Sequence, residues 1–166
     1  GWIDRWTVGA YISRLEEDSD VNYRDIWSSP EYPVLSDSTY TSDNYALFGQ
    51  IAHDFSERTR LTIGLRSAYY DIEVESSGVY YGGASPKENQ SEDGNLFGGK
   101  ISREHDLSDQ HMTFASITRG YKAGGANTAA FLEGGNPATY DDETLWNYEI
   151  GLRSEWFEAT VISQVT

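Results

Sequence analysis

The chain has 166 residues, with 12 Lys+Arg against 27 Asp+Glu, a net charge of −15, no Cys, and 5 Trp, 12 Tyr and 6 Phe. The lack of cysteine excludes a disulfide scaffold and Cys-based metal or nucleophile sites. The acid excess argues against a nucleic-acid partner, which needs a basic stripe. No run approaches the ~18 apolar residues of a membrane-spanning helix. No leader pattern stands at Gly1, and the aromatic content argues against disorder.

In chain order the hydrophobic period is 2 rather than 3.6, which predicts strands and no helix. In a first strand Trp6, Val8, Ala10 and Ile12 share one face, and Arg5, Thr7, Gly9, Tyr11 and Ser13 the other. A second sets Tyr45, Leu47, Ile51 and Phe55 against Asn44, Ala46, Gln50 and Asp54. A third sets Leu61, Ile63, Leu65 and Tyr69 against Arg60, Thr62, Gly64 and Arg66. A fourth, near 95–105, sets Phe97 and Ile101 against Lys100, Ser102 and Glu104. In a fifth, over 111–121, Ala115 and Ile117 oppose Met112 and Phe114. The sixth alternates Trp146, Tyr148, Ile150, Leu152 and Trp156 with Asn147, Glu149, Gly151, Arg153 and Glu155. A seventh is expected to start near Phe157.

The expected connections alternate in length. Long ones fall at 16–43, 71–93 and 122–143, and short ones at 56–58 and 106–110. The long ones hold 18 acidic and 3 basic residues, and the rest of the chain 9 of each. The whole net charge therefore sits at one end of a row of antiparallel strands. Long polar loops at one end and tight turns at the other form the layout of an outer-membrane β-barrel. Strands of ~9–11 tilted residues suffice to cross. Trp6, Tyr45, Phe55, Tyr69, Trp146 and Trp156 fall where interfacial girdles would put them. A soluble β-sandwich, as in a secreted carbohydrate- or ligand-binding module, produces the same alternation. The two differ in where Trp146, Tyr148 and Trp156 go, outward to lipid or into a dry core.

Three segments carry a family resemblance. Tyr45-Ala-Leu-Phe-Gly-Gln50 is followed by a tight turn and Leu61-Thr-Ile-Gly-Leu-Arg66. Ser116-Ile-Thr-Arg-Gly-Tyr-Lys-Ala-Gly-Gly-Ala-Asn127 resembles an S-x-S-R-G-Y-K-A-G-G-x-N stretch. Glu143-Thr-Leu-Trp-Asn-Tyr-Glu-Ile-Gly-Leu-Arg-Ser154 resembles P-E-T-L-x-N-Y-E-x-G-x-K-S. Together, over 42–157, they resemble the barrel of TonB-dependent outer-membrane receptors, with Asp142 in place of the usual Pro and Arg153 in place of a frequent Lys. The resemblance implies an all-β fold of about seven antiparallel transmembrane strands, a partial segment of a barrel of about 22 strands. Residues 1–166 then read as an interior fragment without plug domain or closing C-terminal strand, not expected to insert alone as a stable barrel. The implied setting is the outer membrane of a Gram-negative bacterium. The implied partners are membrane lipid, TonB through an N-terminal part, and a ferric siderophore, cobalamin, haem or glycan. Uptake, not catalysis, is the implied activity.

Arg119, Tyr121 and Lys122 are candidate rim contacts for an anionic ligand such as an iron chelate. Arg66, Glu149 and Arg153 are candidate lumen residues. The simpler reading of 119–125 is conformational, with Gly124 and Gly125 permitting positive φ. Gly94–Lys100 imitates a phosphate loop but lacks the following Ser or Thr and the helix. Asp18–Asn22 imitates a Ca²⁺ loop but has Tyr23 where glycine belongs. Asp141, Asp142 and Glu143 have no nucleophile or orienting base near them in sequence. His53, His105 and His111 read as turn-end polar residues, with no further ligands for a metal. No catalytic residue, cofactor or metal site is expected.

Overall fold

The structure is a computed structural model that describes residues 5–23, 34–80, 83–127, 139–156 and 161–166. The period-2 segments form strands β1 (Arg5–Tyr23), β2 (Val34–Ser56), β3 (Thr59–Tyr80), β4 (Gly83–Ser108), β5 (His111–Lys122), β8 (Glu143–Trp156) and β9 (Val161–Val165). They pair antiparallel, each beside the next, as one seven-stranded sheet. Two-residue strands β6 (Gly125–Ala126) and β7 (Thr139–Tyr140) pair only with each other, and this hairpin lies over β3 and β4. No helix occurs among the described residues. The seventh strand of the sheet starts at Val161, and Phe157 lies outside the described residues.

Register follows the hydrophobic pattern, because a slip of one residue would turn every side chain to the other face. One row runs Trp6, Ile51, Ile63, Ile101, Ile117, Tyr148 across six strands. The next row, on the opposite face, runs Arg5, Ala52, Thr62, Ser102, Ser116, Glu149. The apolar face is uncovered: Leu65 is 69% exposed and Ile150 77%. Trp146 and Tyr148 stack on each other on that face at 6.4 Å between centroids and stay exposed. A sandwich would bury this face beneath a second sheet, and the only other sheet among the described residues is the β6–β7 hairpin. An apolar face of this extent needs an apolar partner. From Tyr45 to Phe55 the band covers ten residue steps. That is roughly 33 Å of strand, or about 25 Å at a tilt of ~40°, the height of a barrel's lipid-facing band.

The acidic stretches 16–43 and 71–93, expected as loops, are largely strand. β1 and β2 stay paired as far as Tyr23 and Val34, and β3 and β4 as far as Tyr80 and Gly83. The reason is a period of 2 that continues beneath the charge. Ile72 and Val74 are buried on one face, while Asp71, Glu73 and Glu75 point to the other. The strands therefore run on past Tyr45 and Tyr69, whose rings stack at 6.5 Å in mid-strand rather than at strand ends. The acid end stands beyond the apolar band. Tyr70, Ile72, Val74 and Leu96 form the one buried hydrophobic cluster among the described residues, packed under Tyr121, Ala123 and Ala126.

At that end Asp20 faces Asp37 across the β1–β2 pair. A hydrogen bond to Asp37, and then its negative charge, hold the Asp20 carboxyl above the ordinary 3.8. A raised carboxyl keeps its proton more tightly in the folded chain than in the unfolded one. The pair thus contributes stability that is full below 3.8 and lost as pH climbs through the raised value. Asp20→Asn is expected to remove this dependence and to leave the ribbon end firmer at neutral pH. Amide exchange at Ser19–Val21, corrected for intrinsic rate and compared across that window, checks it.

Candidate functional site

The polar face builds from the short turns upward. Asp54 accepts from Arg60 Nε at 2.7 Å, with Arg5 at 3.4 Å from Asp54 and Glu104 at 3.5 Å from Arg60. These pairs are open to water, so each contributes about 1 kcal/mol or less. Their effect is to leave this level of the face near neutral.

Above them Gly64, Gly98 and Gly120 remove side chains from β3, β4 and β5, and the face sinks into an open depression of about 700 Å³. Phe48, Gln50, Arg66, Lys100 and Tyr121 stand around it, and no carboxylate among the described residues lines it. Arg66 donates Nε to the Tyr121 hydroxyl at 2.7 Å and lies 5.8 Å from the ring centres of Tyr11 and Phe48. The rings and the phenol hold the guanidinium without neutralising it. Lys100 forms no ion pair or hydrogen bond among the described residues. In register Arg66 opposes Gly98 and Gly64 opposes Lys100, so the two residues are diagonal neighbours, their backbone positions roughly 7–8 Å apart in a regular sheet. A Cβ at Gly98 would stand 3.0 Å from the Tyr121 ring, so a larger residue there presses on the tyrosine that holds Arg66.

The expected site residues divide. Arg66 and Tyr121 meet at this shelf, while Arg119 borders it from the register row of Leu65 and Trp146. Strict alternation would put Tyr121 on the apolar face with Ile117. It turns onto the polar face where the β4–β5 pairing has already ended at Arg119, although β5 stays paired with β8 as far as Lys122. Arg119 donates to the carbonyl of Phe97, which ties it to the wall. Lys122 lies over the Tyr140 ring at 5.9 Å, with the hairpin rather than the shelf. Glu149 accepts from Ser116 at 3.2 Å, and Arg153 sits 3.7 Å from Glu155, both on β8 and away from the shelf. Lys100 is the residue sequence reasoning missed, although its polar-face parity was legible.

The remaining motifs have structural explanations. Gly94–Lys100 and Asp18–Asn22 lie within strands β4 and β1, not loops. No group of three or more metal-ligating side chains occurs among the described residues. His105 and His111 pair through Nδ1 with Thr59 and Ser154, each at 2.9 Å, and not with each other. Neither Gly124 nor Gly125 has a left-handed φ, so the conformational reading of this pair is corrected. Space is the requirement: a Cβ on Gly124 would strike the Tyr140 backbone and the Tyr70 hydroxyl. Gly124→Val is expected to lift the hairpin off the wall and to raise amide exchange at Ala126 about tenfold or more, as read by mass spectrometry.

Residues 2–163 match the family described as TonB dependent receptor-like, beta-barrel. Among solved structures, the ferric yersiniabactin uptake receptor FyuA from Yersinia pestis shares the fold with a TM-score of 0.74 at 20% identity. The match covers 91% of this chain and 23% of that one.

Proposed function

The chain belongs to the TonB dependent receptor-like β-barrel family, and on that premise we propose that it is a stretch of barrel wall in an outer-membrane transporter for a negatively charged ferric siderophore. The observation that carries the reading is the pair Arg66 and Lys100, with no carboxylate beside them among the described residues, on the inward face of a chain whose net charge is −15. Two adjacent cations repel each other and attract an anion into the lumen. The ferric chelate receptor that shares the fold supports the same substrate class.

In this reading residues 1–166 are an interior piece of wall of about 22 strands, in the outer membrane of a Gram-negative bacterium. The plug, the contact to TonB and the closing strand belong to other parts of the protein. β1 and β9 flank the sheet with one free edge each among the described residues, and such edges require further strands in hydrocarbon. The protein moves its ligand and transforms nothing.

The test is uptake of radiolabelled ferric siderophores by iron-starved cells with and without the gene, before and after collapse of the proton-motive force. Loss of uptake with either treatment is expected. Uptake of cobalamin, haem or a glycan in its place would overturn the siderophore assignment alone. A gene product found in the soluble fraction would overturn the transporter.

A further inference from the structure

The outward face carries a cation at the level of the lipid band. Arg103 follows Phe97 and Ile101 on that face, five residues before Ser108 at the short-turn end of β4. It is exposed and forms no ion pair or hydrogen bond among the described residues. Beside it in register stands Ala115, and beyond that Ile150. The small Ala115 side chain leaves a groove of about 480 Å³. Leu61, Ile101, Ile117, Tyr148 and Ile150 wall it, and Arg103 stands in the row nearer the short turns. The strands involved, β3, β4, β5 and β8, are all paired on both sides, so the groove is not a product of a sheet edge.

We propose that this groove seats one acyl chain of a membrane phospholipid whose phosphate rests on Arg103. Hydrocarbon offers neither water nor a counter-charge to a guanidinium. The arginine stem can lie along the wall and carry its head toward the short-turn interface, where a phosphate supplies the complementary, bidentate anion. A gap among large apolar side chains loses their dispersion contacts unless a chain fills it. Charge and shape therefore select the same occupant. The inference rests on the transporter reading, in which this face meets lipid.

The experiment uses the full-length receptor containing this chain, extracted in mild detergent. The probes are dioleoylphosphatidylglycerol and dioleoylglycerol, which has the same chains and no phosphate, and native mass spectrometry reads their occupancy. The expected result is retention of the phospholipid over dioleoylglycerol. Arg103→Gln and Ala115→Phe should each cut retention about tenfold, as for loss of one charged contact, while Arg103→Lys keeps most of it and Leu47→Phe, outside the groove, changes nothing. Equal retention of the two probes, or unchanged retention in Arg103→Gln and Ala115→Phe, would overturn the proposal. Heat-modifiable migration of each variant reports the barrel separately. A receptor that never inserts overturns the membrane reading and the lipid site together, whereas an inserted one that ignores the phosphate overturns the lipid site alone.

Discussion

Leu65→Arg is expected to cost the receptor containing this chain about 2–4 kcal/mol in lipid, the cost of a basic side chain at the middle of a barrel's lipid face. Leu65 is 69% exposed and lies midway along the apolar run of β3 between Leu61 and Tyr69. In water, exchange of so exposed a leucine for arginine is near neutral, since surface substitutions stay within about 0.5 kcal/mol. The sign and size of the effect thus report the solvent on that face. Glu73→Arg supplies the control. It lies on the same face of the same strand, beyond Tyr69 and the lipid band, and should stay within about 1 kcal/mol. Reversible urea unfolding from phospholipid vesicles measures both. Equal effects in the two variants would remove lipid from the apolar face, and with it the barrel.

What the sequence reveals depends on how a residue announces itself. Trp6, Ile51, Ile63, Ile101, Ile117 and Tyr148 stand at alternate positions of separate strands, so their common row follows from parity and register together. The reach of the strands is less legible. In 71–75 the carboxylates of Asp71, Glu73 and Glu75 dominate the composition, yet Ile72 and Val74 keep the strand period and bury the face beneath them. Charge there marks the emergence of the strand into water, not its end. Tyr121 defeats parity for another reason: the β4–β5 pairing ends at Arg119, so beyond that point β5 keeps only its β8 neighbour and Tyr121 departs from strict alternation with one strand beside it. Lys100 has the right parity but stands apart from the motif around 119–125. Only the register that places Gly64 opposite it, with Arg66 two residues on, makes the two cations neighbours.

That neighbourhood sets the second large effect. Arg66→Gln and Lys100→Gln are each expected to weaken binding of a negatively charged ferric chelate about tenfold, from loss of one charge-assisted contact of ~1.5 kcal/mol, the low end of the range, because the shelf is open to water. The double variant should lose less than the product, because a single anion between neighbouring cations makes their contributions interdependent. Raising salt should shrink the difference between wild type and variants. Glu149→Gln and Arg153→Gln, away from the shelf, should leave affinity unchanged. Tyr121→Phe removes only the hydroxyl that holds Arg66, so a smaller loss there separates positioning from charge. Fluorescence titration of the full-length receptor at two salt concentrations reads all of these. The same cations would also suit carboxylates of a plug packed in the lumen, and the two roles part experimentally. If a plug neutralises Arg66 and Lys100, their variants lose thermal stability while the dissociation constant stays fixed. If the ligand does, affinity falls and the melting temperature of the unliganded receptor holds or rises, because two like charges on adjacent strands have lost their repulsion.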